Sequence, residues 1–529
     1  MLAFDAASVY NNGERGIPVS KKSTTSTCCL TLPLKLEKWQ EDRLSKRFEI
    51  ARQIYNTLVH VELKKLRRLE QTAAYRENQA RIRELYQHNS QKTAEFRECT
   101  KIRTRLLQEA GFSEYGFKSD VKDYYKHFNE NIGSSVSVHG IAPQVWAAFE
   151  KKLFGNGKLV HYKKAGDIHS LRGYSVTGKS GGVEIIFRGT FIEWKGLKLP
   201  LKLSPDNAYE REMLSYRVKY VRILRKPGKN KDHWYAQLSL EGKPVIKRDT
   251  ATGEPILPVG HGAVGIDIGP QTIAYCAASE VNLMELADQV QNIEHDKRIL
   301  QRKLERSRRA NNPDNYAEDG TIKRGKKLTR NKSKRYLKIQ KQLAYLQHYQ
   351  AETRKRQHIQ LANHLLSLGD CFYVEDMEWP ALTHRAKKTE ISEKTGKYKR
   401  KKRYGKSVAN KAPAALMSIL KLKCECLGLP GVIRVPTSVK ASQYNHQFDT
   451  YEKKTLNQRW NHMPDGEEIQ RDLYSALLLQ HCTPQLDGFD RDALRRDYDA
   501  FRNLHHRTIQ RLRAMPKTPA SMGIKRSVS

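Results

Sequence analysis

Three carboxylates in this chain sit where carboxylates are costly. Asp267 lies inside Ala263-Val-Gly-Ile-Asp-Ile-Gly-Pro-Gln-Thr-Ile-Ala-Tyr-Cys-Ala-Ala-Ser279, which reads as a buried strand, a tight Gly269-Pro270 turn and a second apolar strand running back. Glu375 closes the apolar run Cys371-Phe-Tyr-Val-Glu-Asp-Met377, and Asp472 opens the helical run Arg471-Asp-Leu-Tyr-Ser-Ala-Leu-Leu-Leu479. Taken singly, each acid could do no more than cap its own turn or helix. An ionised carboxylate on an apolar strand is expensive unless it is paired or holds a metal. The three are far apart in sequence, so only the fold could unite them. Converging, they could hold two magnesium ions, which activate water and steady the leaving oxygen in phosphodiester hydrolysis. Oxygen ligands with no nearby His or Cys favour magnesium or manganese over zinc.

The composition narrows the partner. The 529 residues, 38% of them hydrophobic, are enough for a buried core in two to four domains. Lys and Arg number 96 against 57 Asp and Glu, a formal net charge of +39, which favours a polyanion. No apolar run approaches a membrane span, and the N-terminus lacks a signal-peptide core. The basic residues recur along most of the chain, as a long nucleic-acid footprint requires and a single membrane-surface helix would not. None of the cysteines (Cys28, Cys29, Cys99, Cys276, Cys371, Cys424, Cys426, Cys482) forms a C-x-x-C pair, so they read as reduced, packed thiols of a cytosolic protein with no structural zinc.

Residues 1–24 are polar and turn-rich and read as a disordered tail, and Thr27 to Leu36 alternates as a strand. From Glu37 to Glu70 the spacing of Leu44, Phe48, Ala51, Tyr55 and Leu58 predicts a helix. Basic helices continue over 75–130, and a further helix covers Gly140 to Phe154. Short strands then run from 155 to 248, with a basic hairpin loop at 225–233, and suggest an antiparallel barrel or sandwich interrupted by the helical block. After the Asp267 hairpin a helix is predicted with the stripe Leu286, Val290, Ile293, Leu300 and Leu304. A second, from Tyr336 towards Leu365, follows a basic, asparagine-rich loop at 306–327 whose Arg, Lys and amide side chains suit phosphate and sugar contacts. Residues 384–406 form a basic linker, and the chain past 483 reads as one charged helix and a disordered tail.

With these residues in view, the sequence resembles the TnpB family of transposon-encoded RNA-guided nucleases, relatives of the type V CRISPR effectors. Gly265-Ile-Asp-Ile-Gly269 is similar to the first RuvC motif, Val374-Glu-Asp-Met377 to the second and Gln470-Arg-Asp-Leu-Tyr-Ser-Ala476 to the third. Arg306 to Tyr316, Lys406 to Lys411 and, more weakly, Ala51-Arg-Gln-Ile-Tyr-Asn56 add to the likeness, which spans most of 25–480. The resemblance implies a multidomain α+β protein with an RNase H-like RuvC domain, a mixed sheet flanked by helices. It implies Asp267, Glu375 and Asp472 as catalytic and metal-holding acids with Mg2+ or Mn2+, a guide RNA and target double-stranded DNA as partners, and a prokaryotic cytoplasmic, nucleoid-associated setting.

The domain scheme that goes with it has a wedge-like β-barrel at 25–36 and 155–260 and a helical recognition lobe at 37–154. RuvC segments follow at 261–382 and 411–482, with a helical insertion at 286–366, a basic linker at 383–410, a target-strand-loading lobe at 437–470 and a C-terminal helix and tail at 483–529. That lobe departs from most relatives, which carry a zinc ribbon there: Thr437 to His446 and Lys453 to Trp460 hold no cysteine, and His446 and His462 read as polar loop residues. Nucleic-acid contacts are expected at Arg306, Arg308, Arg309, Lys323, Arg324, Arg400 and Lys402. Transposon-encoded cleavage is the leading function. A compact type V CRISPR effector, a non-cleaving RNA-guided repressor and an RNase H-type transposase working without RNA are the alternatives.

Overall fold

The computed structural model describes residues 26–524 except 89, 156, 175–183, 250, 254, 324, 326–327, 386–388, 392–395, 397, 399–403, 456 and 465. The described residues divide into two compact units that part between Val245 and Ile246.

The first unit is built on α1 (Lys38–Gln71). Its start is a reciprocal capping box, in which the Gln40 side chain accepts the Glu37 N–H at 2.8 Å, and its spaced apolar residues Leu44, Phe48, Ala51, Tyr55 and Leu58 are all buried. The further helices of this unit include α2 (Ala73–Gln87), α3 (Ala94–Glu109), α4 (Glu114–Asp120) and α5 (Ala142–Leu153). Strands β1 (Thr27–Pro33), β2 (Ser170–Tyr174), β6 (Val218–Lys226) and β7 (His233–Glu241) form an antiparallel sheet in the order β1-β7-β6-β2. The short strands β3 (Ile185–Phe187), β4 (Phe191–Trp194) and β5 (Leu197–Pro200) form a second sheet. The expected barrel is therefore not shown: among the described residues neither sheet closes. Among the described residues the backbones of the two sheets are joined by isolated links, the Leu34–Leu201 bridge and a bond from Glu184 N–H to the Tyr174 carbonyl (3.2 Å), and three- and four-residue strands are too short to carry a ladder around a ring.

Inside this unit Glu62 is wholly buried beside Lys65 and Asp120. Burial, reinforced by Asp120, raises its pKa to about 8. A carboxyl raised in the folded chain favours folding while protonated, so its contribution is full below the ordinary carboxyl range and is lost as pH rises towards 8. Glu62→Gln should remove that slope, and thermal unfolding followed from pH 5 to 9 checks it. A parallel slope in both proteins would contradict the assignment.

The second unit is organised on a mixed five-stranded sheet. Strands β8 (Ala263–Ile268), β9 (Thr272–Cys276), β10 (Val281–Glu285), β11 (Cys371–Glu375) and β12 (Gly431–Val435) lie in the order β10-β9-β8-β11-β12. Two apolar layers clothe it. Val264, Ile266, Ile268, Phe372 and Val374 pack with Leu361, Leu365 and Leu366 of α7 (Lys334–Leu368) and with Leu416 and Leu420 of α8 (Pro413–Leu427). Ala274, Cys276 and Leu283, on the other face, pack with α9 (Arg471–Gln480) and α10 (Arg491–Ala514). The helix α6 (Val290–Asn311) starts later than its apolar spacing predicts, because Val281–Glu285 is a third strand and Leu286 is buried in the sheet layer. The chain after α10 is not a free tail as far as Ile524. The turn Ala520–Met522 is packed, with Met522 buried. No described helix is long and apolar enough to cross a membrane.

Candidate active site

Strand alternation decides which way the acids point. In β8, Val264, Ile266 and Ile268 enter the α7–α8 layer, so Gly265 and Asp267 face α9. In β11, Phe372 and Val374 enter the same layer, so Tyr373 and Glu375 also face α9. The strands are parallel, with Tyr373 opposite Gly265 and Val374 opposite Ile266, and the next step of that register sets Glu375 beside Asp267. Adjacent strands are about 4.8 Å apart, so two carboxylates share one patch of the sheet.

Asp472 reaches this patch from the first turn of α9. Gln470 caps the helix, its Oε1 accepting the Leu473 N–H at 2.9 Å. The helix can lie against β8 because residue 265 has no side chain: a Cβ there would stand 1.9 Å from the Ala476 carbonyl oxygen and 2.4 Å from the Gln480 nitrogen. The glycine of Gly-Ile-Asp is a spacer that lets α9 deliver its carboxylate.

The electrostatics follow from this crowding. Burial pushes the Asp267 carboxyl well above the ordinary range, and the charges of Asp472 and Glu375 push it further. Burial raises Glu375 as well. Asp472 is held differently. Its Oδ1 accepts from Nε and Nη2 of Arg471 at 3.3 and 3.2 Å, and Nη1 of Arg459 stands 3.9 Å away. Arg459 also gives its carbonyl to the Arg471 N–H. These two arginines and the cap at Gln470 were not legible as site residues. Only the position of Gln470 before a helix start could have suggested its part.

Among the described residues no three His, Cys, Asp or Glu side chains stand close enough together to hold a metal ion. The donor chemistry nevertheless fits a hard divalent cation. Asp267 and Glu375 are neighbouring carboxylates raised by burial, and neither side chain has a hydrogen-bonding or ion-pair partner among the described residues. Asp472 would complete the set on release from Arg471.

No family model and no curated protein matches the chain. Solved structures similar to it include two Cas12f complexes. One is a Cas12f1–sgRNA–target DNA complex (cryo-EM), with 12% identity over 87% of this chain and 99% of that one and a TM-score of 0.41. The other is a CRISPR-Cas12f ternary complex, with 12% identity over 85% and 86% and a TM-score of 0.23. The likeness to Cas12f is thus of low identity and high coverage.

The basic residues expected to contact nucleic acid divide into three groups. Arg306 and Lys323 are exposed, and neither side chain has a partner among the described residues. Arg308 and Arg309 pair with Glu305, and Arg309 further donates to the Gly320 carbonyl (3.0 Å) and stacks 4.7 Å from the Tyr316 ring. Arg324, Arg400 and Lys402 lie outside the described residues.

The asparagines of the 306–327 loop face inward, against the reading that they suit sugar and phosphate. Asn312 exchanges bonds with the backbone of Asn331 (3.0 and 2.7 Å), and Asn315 with that of Thr329 (2.8 and 2.9 Å). These amides satisfy backbone groups that the irregular loop leaves unpaired. His446 and His462 do not meet: His446 is buried with Nδ1 2.7 Å from the Tyr474 hydroxyl, and His462 is exposed beside Glu468.

Proposed function

We propose that the chain is an RNA-guided, metal-dependent DNA endonuclease whose cutting site is Asp267, Glu375 and Asp472, with the transposon-encoded type preferred over a compact type V CRISPR effector. The observation that carries the reading is the pair of sequence-distant carboxylates, Asp267 and Glu375, side by side on one face of a mixed sheet, with Asp472 on the first turn of the helix packed over them. Asp267 and Glu375 would hold Mg2+ or Mn2+, with Asp472 as the third ligand. Such ions, when bound, supply an activated water and charge neutralisation at the scissile phosphate.

The chain's own residues do the rest. Gly265 lets α9 approach, and the Gln470 cap orients the first turn. Arg471 and Arg459 stand against Asp472 and present cationic groups where a phosphodiester backbone would enter. The large positive charge and the first unit, with its long helix and open sheets, supply the surface for a guide RNA and the duplex it forms with target DNA.

The arginine pairing of Asp472 is the one observation favouring a guided binder that does not cut. Sequencing the RNA that co-purifies when the protein is made with its native flanking DNA tests the guided reading itself. One discrete RNA from beside its own gene is expected. Repeat–spacer RNA would assign a CRISPR effector, and no enriched RNA from folded protein would remove the guided reading.

Exposed cations should contribute without reading sequence. Arg306→Ala with Lys323→Ala should weaken binding evenly across targets and lower the slope of log K against log salt by roughly 1 to 2. Titrations between low and moderate salt measure it, and an unchanged slope would exclude these two from the interface.

A further inference from the structure

Gln470 is completely buried at the entrance to α9, and its polar groups are engaged on two sides. Its Oε1 caps α9 from within. Its Nε2 donates to the Met522 carbonyl at 3.2 Å, and its backbone N–H donates to Nε2 of His505 at 3.0 Å. The last two partners lie in the chain beyond all three acids, on α10 and on the turn Ala520–Met522.

His505 is an odd residue to find there if packing were its only task. It is 1% exposed, and because its Nε2 accepts, the ring proton must sit on Nδ1, which is buried without a partner. An unpaired buried N–H is a cost that Leu or Phe at this position would avoid. Burial, with the charges of His506 and Arg513, pushes its pKa down to about 3, so the ring stays a neutral acceptor. Trp460 meets the ring edge to face and donates from Nε1 to the Gly523 carbonyl at 2.9 Å. Gly523 has φ +68°, and a Cβ on it would stand 2.3 Å from Cβ of Arg459, the arginine facing Asp472.

We infer that His505 is a positioning residue for Asp472: by accepting the Gln470 N–H it fixes the cap from which α9 aims the carboxylate, and the turn at 520–523 closes the same clasp. The inference uses the nuclease reading for its activity assay and a tautomer measurement that does not depend on that reading.

His505→Phe keeps an aromatic ring and loses the acceptor. His505→Gln loses the ring and reaches the same N–H with Oε1. The Phe variant should lose about 10²-fold in kcat with KM for target DNA nearly unchanged, while the Gln variant recovers to within several-fold. A packing role predicts the opposite order, Phe active and Gln impaired, and that result would overturn the inference.

Nitrogen NMR of histidine-labelled protein at neutral pH should show His505 protonated at Nδ1 with a free Nε2. Protonation at Nε2 would also overturn the inference, and this measurement decides if the Phe variant does not fold. Asp267→Ala is assayed alongside. If it still cuts, the assignment of the cutting site falls while the tautomer result stands. If it is dead and His505→Phe cuts like the unsubstituted protein, the positioning role falls alone.

Discussion

Asp267→Asn should abolish cleavage and at the same time make the protein more stable. The amide cannot serve as an anionic ligand, so the loss in rate should be on the order of 10³-fold or more. The gain has a separate cause. Asp267 is raised by burial and by the neighbouring Asp472 and Glu375 charges, so the folded chain holds its proton more tightly than the unfolded chain does. Stability from such a group is full below the unfolded carboxyl value and is lost as pH rises through the raised one. At neutral pH without divalent cations the variant should therefore melt a few degrees higher. The gap should shrink as pH falls towards 4. Added Mg2+ should narrow it as well, by stabilising only the protein that can bind it. A variant no more stable at pH 7 would contradict the proposed repulsion, and a variant that still cuts would contradict the site.

Gly265→Ala should be the most damaging single methyl in the second unit. Its Cβ would meet backbone atoms of Ala476 and Gln480, at 1.9 and 2.4 Å, and backbone cannot rotate away as a side chain can. Either α9 lifts from β8 or the strand bends, and both movements separate Asp472 from Asp267. The expected cost is about 3 kcal/mol or more, with cleavage lost even where the fold survives. Denaturant unfolding measures the first and a nicking assay the second. A change within about 0.5 kcal/mol would mean that α9 is not seated as described.

The acids of the proposed site draw attention in the sequence because they interrupt apolar runs. Asp267 and Glu375 stand out against Val, Ile, Phe and Tyr, and Asp472 follows a residue that begins a helix. Strand alternation then assigns them a face, although sequence cannot say that β8 and β11 are neighbours or in what register. The rest escaped for physical reasons. Arg459 and Arg471 look like any other charges in a chain with 96 basic residues, and only folding brings Arg459 back to Asp472.

Two features of the fold were hidden in the same way. Val281–Glu285 merged with the helical spacing that follows it, because a five-residue strand offers only two or three alternations. The strands of the first unit could be counted, but whether they close depends on long-range pairing, and the links found are isolated. Asn312 and Asn315 mislead for a further reason. Amides that satisfy a loop's own backbone and amides that contact nucleic acid have the same composition.

The most direct test of the account is cleavage of a plasmid carrying the sequence matched by the co-purified RNA, in Mg2+, with Asp472→Asn as the comparison. The account predicts guide-directed cutting that disappears with EDTA, and an Asp472→Asn protein that binds the same plasmid with the same RNA and leaves it intact. Cutting that survives EDTA or the substitution would contradict it.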